Sequence, residues 1–260
     1  MKYITVNGSR ISIKNPEELE FMREGGKILG LILHEVEKMI EPGITTRQID
    51  NLVEKLMQQH QVKAGFKGYH GFPASICASV NDEVVHGIPS DRILNEGDII
   101  TIDCGVLHKG LNTDSAITVP VGRVSKQAKS LIKTAKNALE GAIAIARPGV
   151  RITDLSHVIQ ATIEKAGFHV VKELTGHGIG QHLHEDPIIT NFVDYDPGPV
   201  LEPGMTIAIE PILSAGDHNI KLLKDKWTYV TADGSLSSQQ EHTIAITEKG
   251  AEILTKRPNN

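Results

Sequence analysis

The chain has few of the features that would place a protein outside the cell, in a membrane or on nucleic acid. Its 260 residues include only two cysteines, Cys77 and Cys104, so no disulfide framework is predicted. No apolar run is long enough to span a membrane, and the first residues lack the basic and then apolar pattern of a signal peptide. We therefore expect a protein of the reducing cytoplasm.

The charge balance also lacks a basic excess, with a formal net charge of −5. No overall field that favours nucleic acid is expected from this composition. A small local cluster of basic side chains is interpreted as a solvated loop, and it consists of Lys221, Lys224 and Lys226. With 40% hydrophobic residues the chain can still bury a full core.

A loose internal repeat is present about the middle of the chain. Pro42-Gly43 and Pro148-Gly149 each precede an amphipathic helical pattern, and a longer helical pattern lies ahead of each of them. These longer helices are predicted to begin at the N-caps Asn15 and Ser125. Acid-bearing strands repeat at nearly the same offset as the Pro-Gly turns. The pattern predicts one compact α+β domain over residues 1–260, built from related halves at roughly 15–120 and 125–250.

Two predicted hairpins carry acidic residues on apolar strands. In the first, a turn near His108-Lys109 would place Asp103 directly across from Asp114. In the second, Glu210 ends one strand and Glu241 opens its partner. Like charges that face each other destabilise a sheet unless a cation lies between them. Solvent-facing acids on an edge hairpin are the alternative for one pair alone, and the matching second pair favours a metal site.

Histidines supply candidate nitrogen ligands and proton carriers near these acids. His177 lies between two glycines, where the backbone can approach a metal or ligand closely, and His184 follows it. His86 is predicted at a strand end before a Gly and Pro turn. Four carboxylates and one imidazole suit two divalent ions such as manganese, iron, cobalt or zinc, whereas a structural zinc site would favour cysteine pairs. Paired ions about 3.5 to 4 Å apart activate water, so hydrolysis is the expected reaction.

These residues together resemble a known enzyme family, the methionine aminopeptidases of the short, bacterial-like type I. The matching motifs run from Asn15-Pro16-Glu17 through Gly68-Tyr69-His70-Gly71-Phe72-Pro73 to Glu241-His242-Thr243. The resemblance implies the pita-bread (creatinase/aminopeptidase) α+β fold with a pseudo-twofold repeat. It also implies removal of the initiator methionine from nascent chains and short peptides whose second residue is small.

The resemblance further implies roles for particular residues. Asp114 and Glu241 would bridge the metals, Glu210 would also accept a proton from the attacking water, and His86 and His184 would contact the substrate near the scissile amide. The complete set of implied metal ligands is Asp103, Asp114, His177, Glu210 and Glu241. The implied pocket for the methionine side chain is formed by Tyr69, His70, Phe72, Cys77 and Trp227, whose aromatic and sulfur groups suit a thioether. Leu174 and Phe66 depart from the residues that many relatives carry.

Three alternatives remain open at this point. A proline-specific peptidase of the same fold would share the ligands, but such relatives usually carry an additional N-terminal domain ahead of the position of Asp103. A creatinase-like protein would need no metal, which does not fit five ligands, and a non-catalytic binding protein, for instance on the ribosome, should have lost some of them. Apart from these three, a type II enzyme would carry an insertion between His184 and Glu210. We expect a type I enzyme without the cysteine-rich N-terminal extension of eukaryotic members, as a monomer with at most transient ribosome contact.

Overall fold

The computed structural model describes residues 2–6 and 8–258, which fold into a mixed helix and sheet architecture. In that part of the chain the four α-helices are α1 (Pro16–Met39), α2 (Thr46–Gln59), α3 (Lys126–Ile145) and α4 (Ile152–Lys165). The strands before α3 are β1 (Lys2–Val6), β2 (Ser9–Ile13), β3 (Lys63–Ala64), β4 (Ile76–Val80), β5 (Glu83–Val85), β6 (Ile99–His108) and β7 (Leu111–Pro120). Those after α4 are β8 (His169–Val170), β9 (Thr175–Gly178), β10 (Glu185–Thr190), β11 (Thr206–Ile209), β12 (Ile212–Ser214), β13 (Ile220–Leu222), β14 (Tyr229–Thr231), β15 (Ser237–Gln239), β16 (His242–Thr247) and β17 (Gly250–Ile253).

Capping side chains fix where the helices begin. Asn15 accepts a hydrogen bond from the backbone N–H of Glu18, and Glu18 reaches back to the N–H of Asn15, which satisfies two donors at the start of α1. Ser125 caps α3 through the N–H of Ala128, as its position in the sequence predicts. Among the described residues, no helix has the length and apolar character required to cross a membrane.

Each helix pair covers one face of a sheet. α3 and α4 pack on the seven-stranded sheet, whose strand order is β1-β2-β10-β9-β11-β16-β17, through buried side chains such as Leu131, Ile159 and Ile207. α1 and α2 pack on the sheet of β3, β6, β4 and β7 through Leu33, Ile49 and others. Burial of these apolar faces provides the main driving force for the arrangement.

The two large sheets meet edge to edge where β7 lies against β16. Asp114 and Thr243 exchange two hydrogen bonds of 2.8 Å, one from the Asp114 N–H and one from the Thr243 hydroxyl. The N–H of Glu241 donates to the carbonyl of Ala116 at 2.9 Å. These contacts hold the acid-bearing segments of both sheets against each other.

The register of the first hairpin differs from the sequence prediction by two residues. His108 pairs with Leu111, so the turn is Lys109-Gly110, whose φ angles of 49° and 82° are both positive. Two-residue hairpin turns favour this geometry because it matches the twist of the strands, and the glycine supports it. Asp103 therefore pairs with Ala116, and the prediction that it lies directly opposite Asp114 is wrong. The two acids are diagonal neighbours on one face of the sheet.

Candidate active site

Five candidate metal ligands line one cavity. They are Asp103 on β6, Asp114 on β7, His177 on β9, Glu210 directly after β11 and Glu241 directly before β16. Ligand atoms of Asp114, His177 and Glu241 all lie within 4.8 Å of one another. His177 Nε2 lies 3.7 Å from Glu210 Oε1.

The carboxylates of this group are buried and incompletely paired. Asp114 and Glu241 are 4% and 2% exposed. Asp103 Oδ1, Asp114 Oδ1 and Glu241 Oε1 have no hydrogen-bond partner. Buried acidic oxygens without donors are unfavourable unless a cation or a proton compensates them. The donor set of oxygens with one imidazole therefore fits divalent metal ions.

The pKa values of the carboxyl groups show the same need for a counter-charge. Burial and the neighbouring carboxylates raise the pKa values of Asp103, Glu210 and Glu241 well above their usual range. Burial raises the pKa of Asp114 to about 7. These shifts show that the site disfavours four ionised carboxylates unless a cation accompanies them.

His177 is prepared as a neutral ligand. Burial, with a smaller effect of His184, lowers its pKa to about 3. Its Nδ1 lies 2.8 Å from the carbonyl oxygen of Gly178, which can accept a hydrogen bond only from a protonated Nδ1. Nε2 then carries the lone pair on the side of Glu210, as in histidine ligands whose second nitrogen is held by the backbone.

The glycines around His177 make room for neighbouring strands. A Cβ at Gly176 would overlap the carbonyl oxygen of Ala208, and one at Gly178 would overlap that of Asp186. The sequence suggests that these glycines allow close approach to a metal, whereas the structure shows that adjacent backbone needs the space. The Gly-His-Gly motif thus allows β9 to lie between β10 and β11 with the imidazole at the site.

A cavity of about 740 Å³ opens onto these ligands. All of the residues predicted from the sequence as site residues line it, namely Tyr69, His70, Phe72, Cys77, His86, Asp103, Asp114, His177, His184, Glu210, Trp227 and Glu241. Phe66 and Leu174, noted as departures from the family pattern, also line it. Long-range folding of three sheets is needed to bring this set together.

Further lining residues were not predicted from the sequence. Leu183 and Ile188 contribute apolar wall, and Gln239 donates from Nε2 to Glu210 Oε2 at 3.1 Å. Leu183 could have been suspected from its place beside His184. Gln239 is separated from Glu210 by 29 residues, and nothing in its local sequence signals that contact.

His184 is fixed by two aromatic neighbours. Its Nδ1 lies 2.9 Å from the hydroxyl of Tyr69, and its ring lies 4.4 Å, centroid to centroid, from that of His177. Burial lowers the pKa of His184 to about 4, so the ring is neutral at neutral pH. Burial also raises the pKa of Tyr69, so its hydroxyl stays protonated. When this hydroxyl donates to Nδ1, Nε2 carries the ring proton of the neutral His184.

His86 lies directly after β5 rather than within a strand, at a positive φ of 58°. Burial lowers its pKa, and a hydrogen bond with the backbone of Trp227 opposes that shift. The Trp227 ring packs edge to face on Phe72, with centroids 5.2 Å apart. Cys77 is buried beside these rings, and burial keeps its thiol pKa high. One end of the cavity is therefore apolar and polarizable, while the other carries the acids.

The chain is similar to known peptidases. The model of metallopeptidase family M24 matches residues 20–248. Methionine aminopeptidase 1 of Bacillus subtilis (strain 168) is 47% identical over 246 residues, which cover 95% of this chain and 99% of that protein. A crystal structure of a methionine aminopeptidase from Thermotoga maritima superposes with a TM-score of 0.93 at 46% identity, covering 95% of this chain and 100% of the other. A prolidase from Pyrococcus furiosus gives a TM-score of 0.76 at 26% identity, and the match covers 95% of this chain but 66% of the prolidase.

Proposed function

Because the chain belongs to metallopeptidase family M24, we propose that it is a methionyl aminopeptidase that removes N-terminal methionine from proteins and peptides with a small second residue. The observation that carries the proposal is the group of four buried or half-buried carboxylates and one neutral histidine that lines one cavity. The similarity to methionine aminopeptidases over nearly the whole chain supports the substrate.

In this proposal Asp103, Asp114, His177, Glu210 and Glu241 are the residues that would hold two divalent ions. The unpaired buried oxygens and the 4.8 Å grouping of Asp114, His177 and Glu241 support these assignments. When bound, the ions acidify a water molecule and polarise the scissile carbonyl. Manganese, iron, cobalt and zinc all suit the donor set.

Side chains of the protein provide proton transfer and contacts to the substrate. Glu210 accepts the proton of the attacking water, and Gln239 holds its carboxylate through the 3.1 Å hydrogen bond to Oε2. His184, neutral and held at Nδ1 by Tyr69, offers its Nε2–H to the oxygen of the scissile peptide. His86, which the backbone of Trp227 orients, contacts the substrate beside the amide.

The apolar end of the cavity binds the methionine side chain. Its walls are Tyr69, His70, Phe72, Cys77 and Trp227, and their rings and sulfur contact a thioether favourably. The edge-to-face contact of Phe72 with Trp227 supports a preformed pocket of aromatic edges and faces.

We also propose that residues 15–120 and 125–250 act as halves of one catalytic domain that works as a monomer in the cytoplasm. Nascent polypeptide N-termini are its substrates, and any ribosome contact is transient. Each half would contribute acids to the site, Asp103 and Asp114 from one and Glu210 and Glu241 from the other.

Release of methionine from a Met-Gly-X peptide, with an X-Pro peptide as the matched control, tests the function. We expect methionine release with added divalent metal, none after chelation, and an intact X-Pro peptide under both conditions. Persistent cleavage after exhaustive metal removal would contradict the metal mechanism. Preferred cleavage of X-Pro would instead indicate the prolidase branch of the fold.

A further inference from the structure

A buried ion pair lies behind the turn that carries His184. Lys14, which follows β2, places Nζ 3.1 Å from Glu185 Oε2, and the two side chains are only 1% and 7% exposed. Ser12 contacts both the ammonium and the carboxylate through its hydroxyl. The charges are thus paired and hydrogen-bonded in a region that excludes water.

Glu185 also holds the turn itself. Its Oε1 accepts a hydrogen bond from the backbone N–H of His182 at 3.0 Å, while His182 accepts one from the N–H of Gly180 at 3.1 Å. Glu185 opens β10 directly after His184. Its carboxylate therefore ties both ends of the 182–185 segment to β2 through Lys14 and Ser12.

The chain leaves space for this pair at Gly180. A Cβ at that position would lie 2.5 Å from Lys14 Cε and 3.0 Å from Glu185 Oε1. β2 also pairs with β10 in parallel at Ile11 and Asp186, so the strand carrying Ser12 is fixed beside the turn. The ion pair of Lys14 and Glu185 thus depends on the space at Gly180, on the pairing of β2 with β10 and on the Ser12 hydroxyl.

A contribution to the stability of the fold does not by itself explain the presence of this buried ion pair. A buried ion pair is often no more stabilising than apolar residues of similar volume, although removal of one partner alone is strongly destabilising. Its specific contribution here is geometric, because it holds the backbone at His182 and Glu185, on either side of His184, while Tyr69 contacts the His184 ring.

We propose that Lys14 and Glu185 are positioning residues that hold His184 in the orientation that stabilises the transition state. The inference rests on the proposed function, since it assumes that His184 contacts the scissile peptide. Removal of the pair should lower kcat more than it raises KM, because the contact strengthens as the reaction proceeds.

The decisive comparison uses Lys14→Met/Glu185→Leu, which removes both charges, beside the single variants. The double variant should regain the thermal midpoint that either single variant loses. Its kcat on Met-Gly-X should remain about 10- to 100-fold below the parent, because small displacements of a contacting group have effects of this size. In a His184→Ala background the same double substitution should change kcat less than about twofold, since the group being positioned is absent.

Wild-type kcat in the double variant, or an equal loss with and without His184, would overturn the inference. The exposed pair Arg47 and Asp91, changed to Gln and Asn, provides the control and should leave kcat unchanged. If the double variant fails to fold, Ser12→Ala replaces it, with a smaller fall in kcat expected and no change in KM. An unchanged kcat in that variant would count against the proposal.

Amide hydrogen exchange separates this inference from the proposed function. The His182 to His184 amides should exchange faster in the double variant than in the parent, and unchanged exchange would refute the positioning role. If the parent releases no methionine from Met-Gly-X, the proposed function fails, and this measurement still decides whether the ion pair orders the turn.

Discussion

Protons and divalent cations compete for the same oxygens at Asp103, Asp114, Glu210 and Glu241. Burial raises the pKa values of all four carboxyls, and repulsion from neighbouring carboxylates adds to the shift at Asp103, Glu210 and Glu241. In the unfolded chain they return to ordinary values near 4. A group whose pKa is raised by folding stabilises the fold at low pH and loses that contribution as pH rises through its folded pKa.

Metal stabilisation should therefore grow with pH. Asp114, with a folded pKa of about 7, must lose a proton before it can bind a cation, so metal has least effect near pH 5 and most near pH 8. Each proton that the metal displaces changes the stabilisation by metal by at most about 1.4 kcal/mol per pH unit. The measurement is the difference in thermal midpoint between metal-loaded and chelated protein across this range. The Asp114→Asn variant should show a smaller slope, and a difference that stays constant or falls with pH would contradict the argument.

His86 lines the cavity without belonging to the proposed ligand set. The His86→Ala variant should keep its full metal content, measured by elemental analysis after dialysis, because the five proposed ligands are untouched. Its turnover should fall about 10²- to 10⁴-fold if the ring transfers or orients a proton. Loss of metal in this variant would mean that His86 is a ligand.

Local sequence was a better guide to the residues that line the cavity than to their relation to one another. The acids and His177 are recognisable because each occupies an unusual local setting, such as an acid beside an apolar strand. The first hairpin turns at Lys109-Gly110, one residue later than the predicted turn at His108-Lys109, and both turn residues have positive φ angles. The pairing of β6 with β7 therefore differs from the prediction. Lys14 and Glu185 were not foreseen, since 171 residues separate them and neither stands in a motif.

Helix boundaries follow from local chemistry, whereas helix packing depends on residues far away. The caps at Asn15 and Ser125 mark the starts of α1 and α3 correctly. The buried stripe of α1 includes Gly26, which lies against the backbone of Leu254. A glycine in a helix is unfavourable by propensity, so its presence there reflects this close approach.

Gly26→Ala should destabilise the protein because its new Cβ would overlap the carbonyl oxygen of Leu254. The expected loss is about 1 to 3 kcal/mol in the free energy of unfolding, typical of overpacking. Gly141→Ala in α3 is the control, since among the described residues its Cβ would lie close to Val158 Cγ1 alone, at 3.0 Å, which is the end of a side chain. That variant should be neutral or gain up to about 1 kcal/mol from helix propensity. Urea unfolding of the metal-loaded proteins measures both, and equal losses would refute the argument.

At the scale of the molecule, the proposed metal ligands come from both sheets. β6 and β7 carry Asp103 and Asp114. On the other sheet His177 lies on β9, Glu210 directly follows β11, and Glu241 directly precedes β16. Ions held by both sheets would join them more tightly than the hydrogen bonds between Asp114 and Thr243 alone. Any separation of the sheets would then require release of metal.

Metal-loaded protein should consequently unfold in one transition. Fluorescence of Trp227, the sole tryptophan, reports on the later part of the chain, and far-UV circular dichroism reports on all of it. The two curves should coincide in urea, and excess metal should raise their common midpoint. Chelated protein serves as the comparison. Separate transitions in the loaded protein would contradict the proposed single domain.

The pairing of β2 with β10 has a consequence for the route by which the molecule forms. β2 pairs in parallel with β10 at Ile11 and Asp186, so its partner strand lies far along the chain. Contacts of such high sequence separation slow folding, because the entropy of closing a long loop is lost before the contacts provide any stabilisation. The hairpin of β1 and β2 can form early from local pairing, but we expect its docking, and with it the contact of Lys14 with Glu185, among the last events of folding.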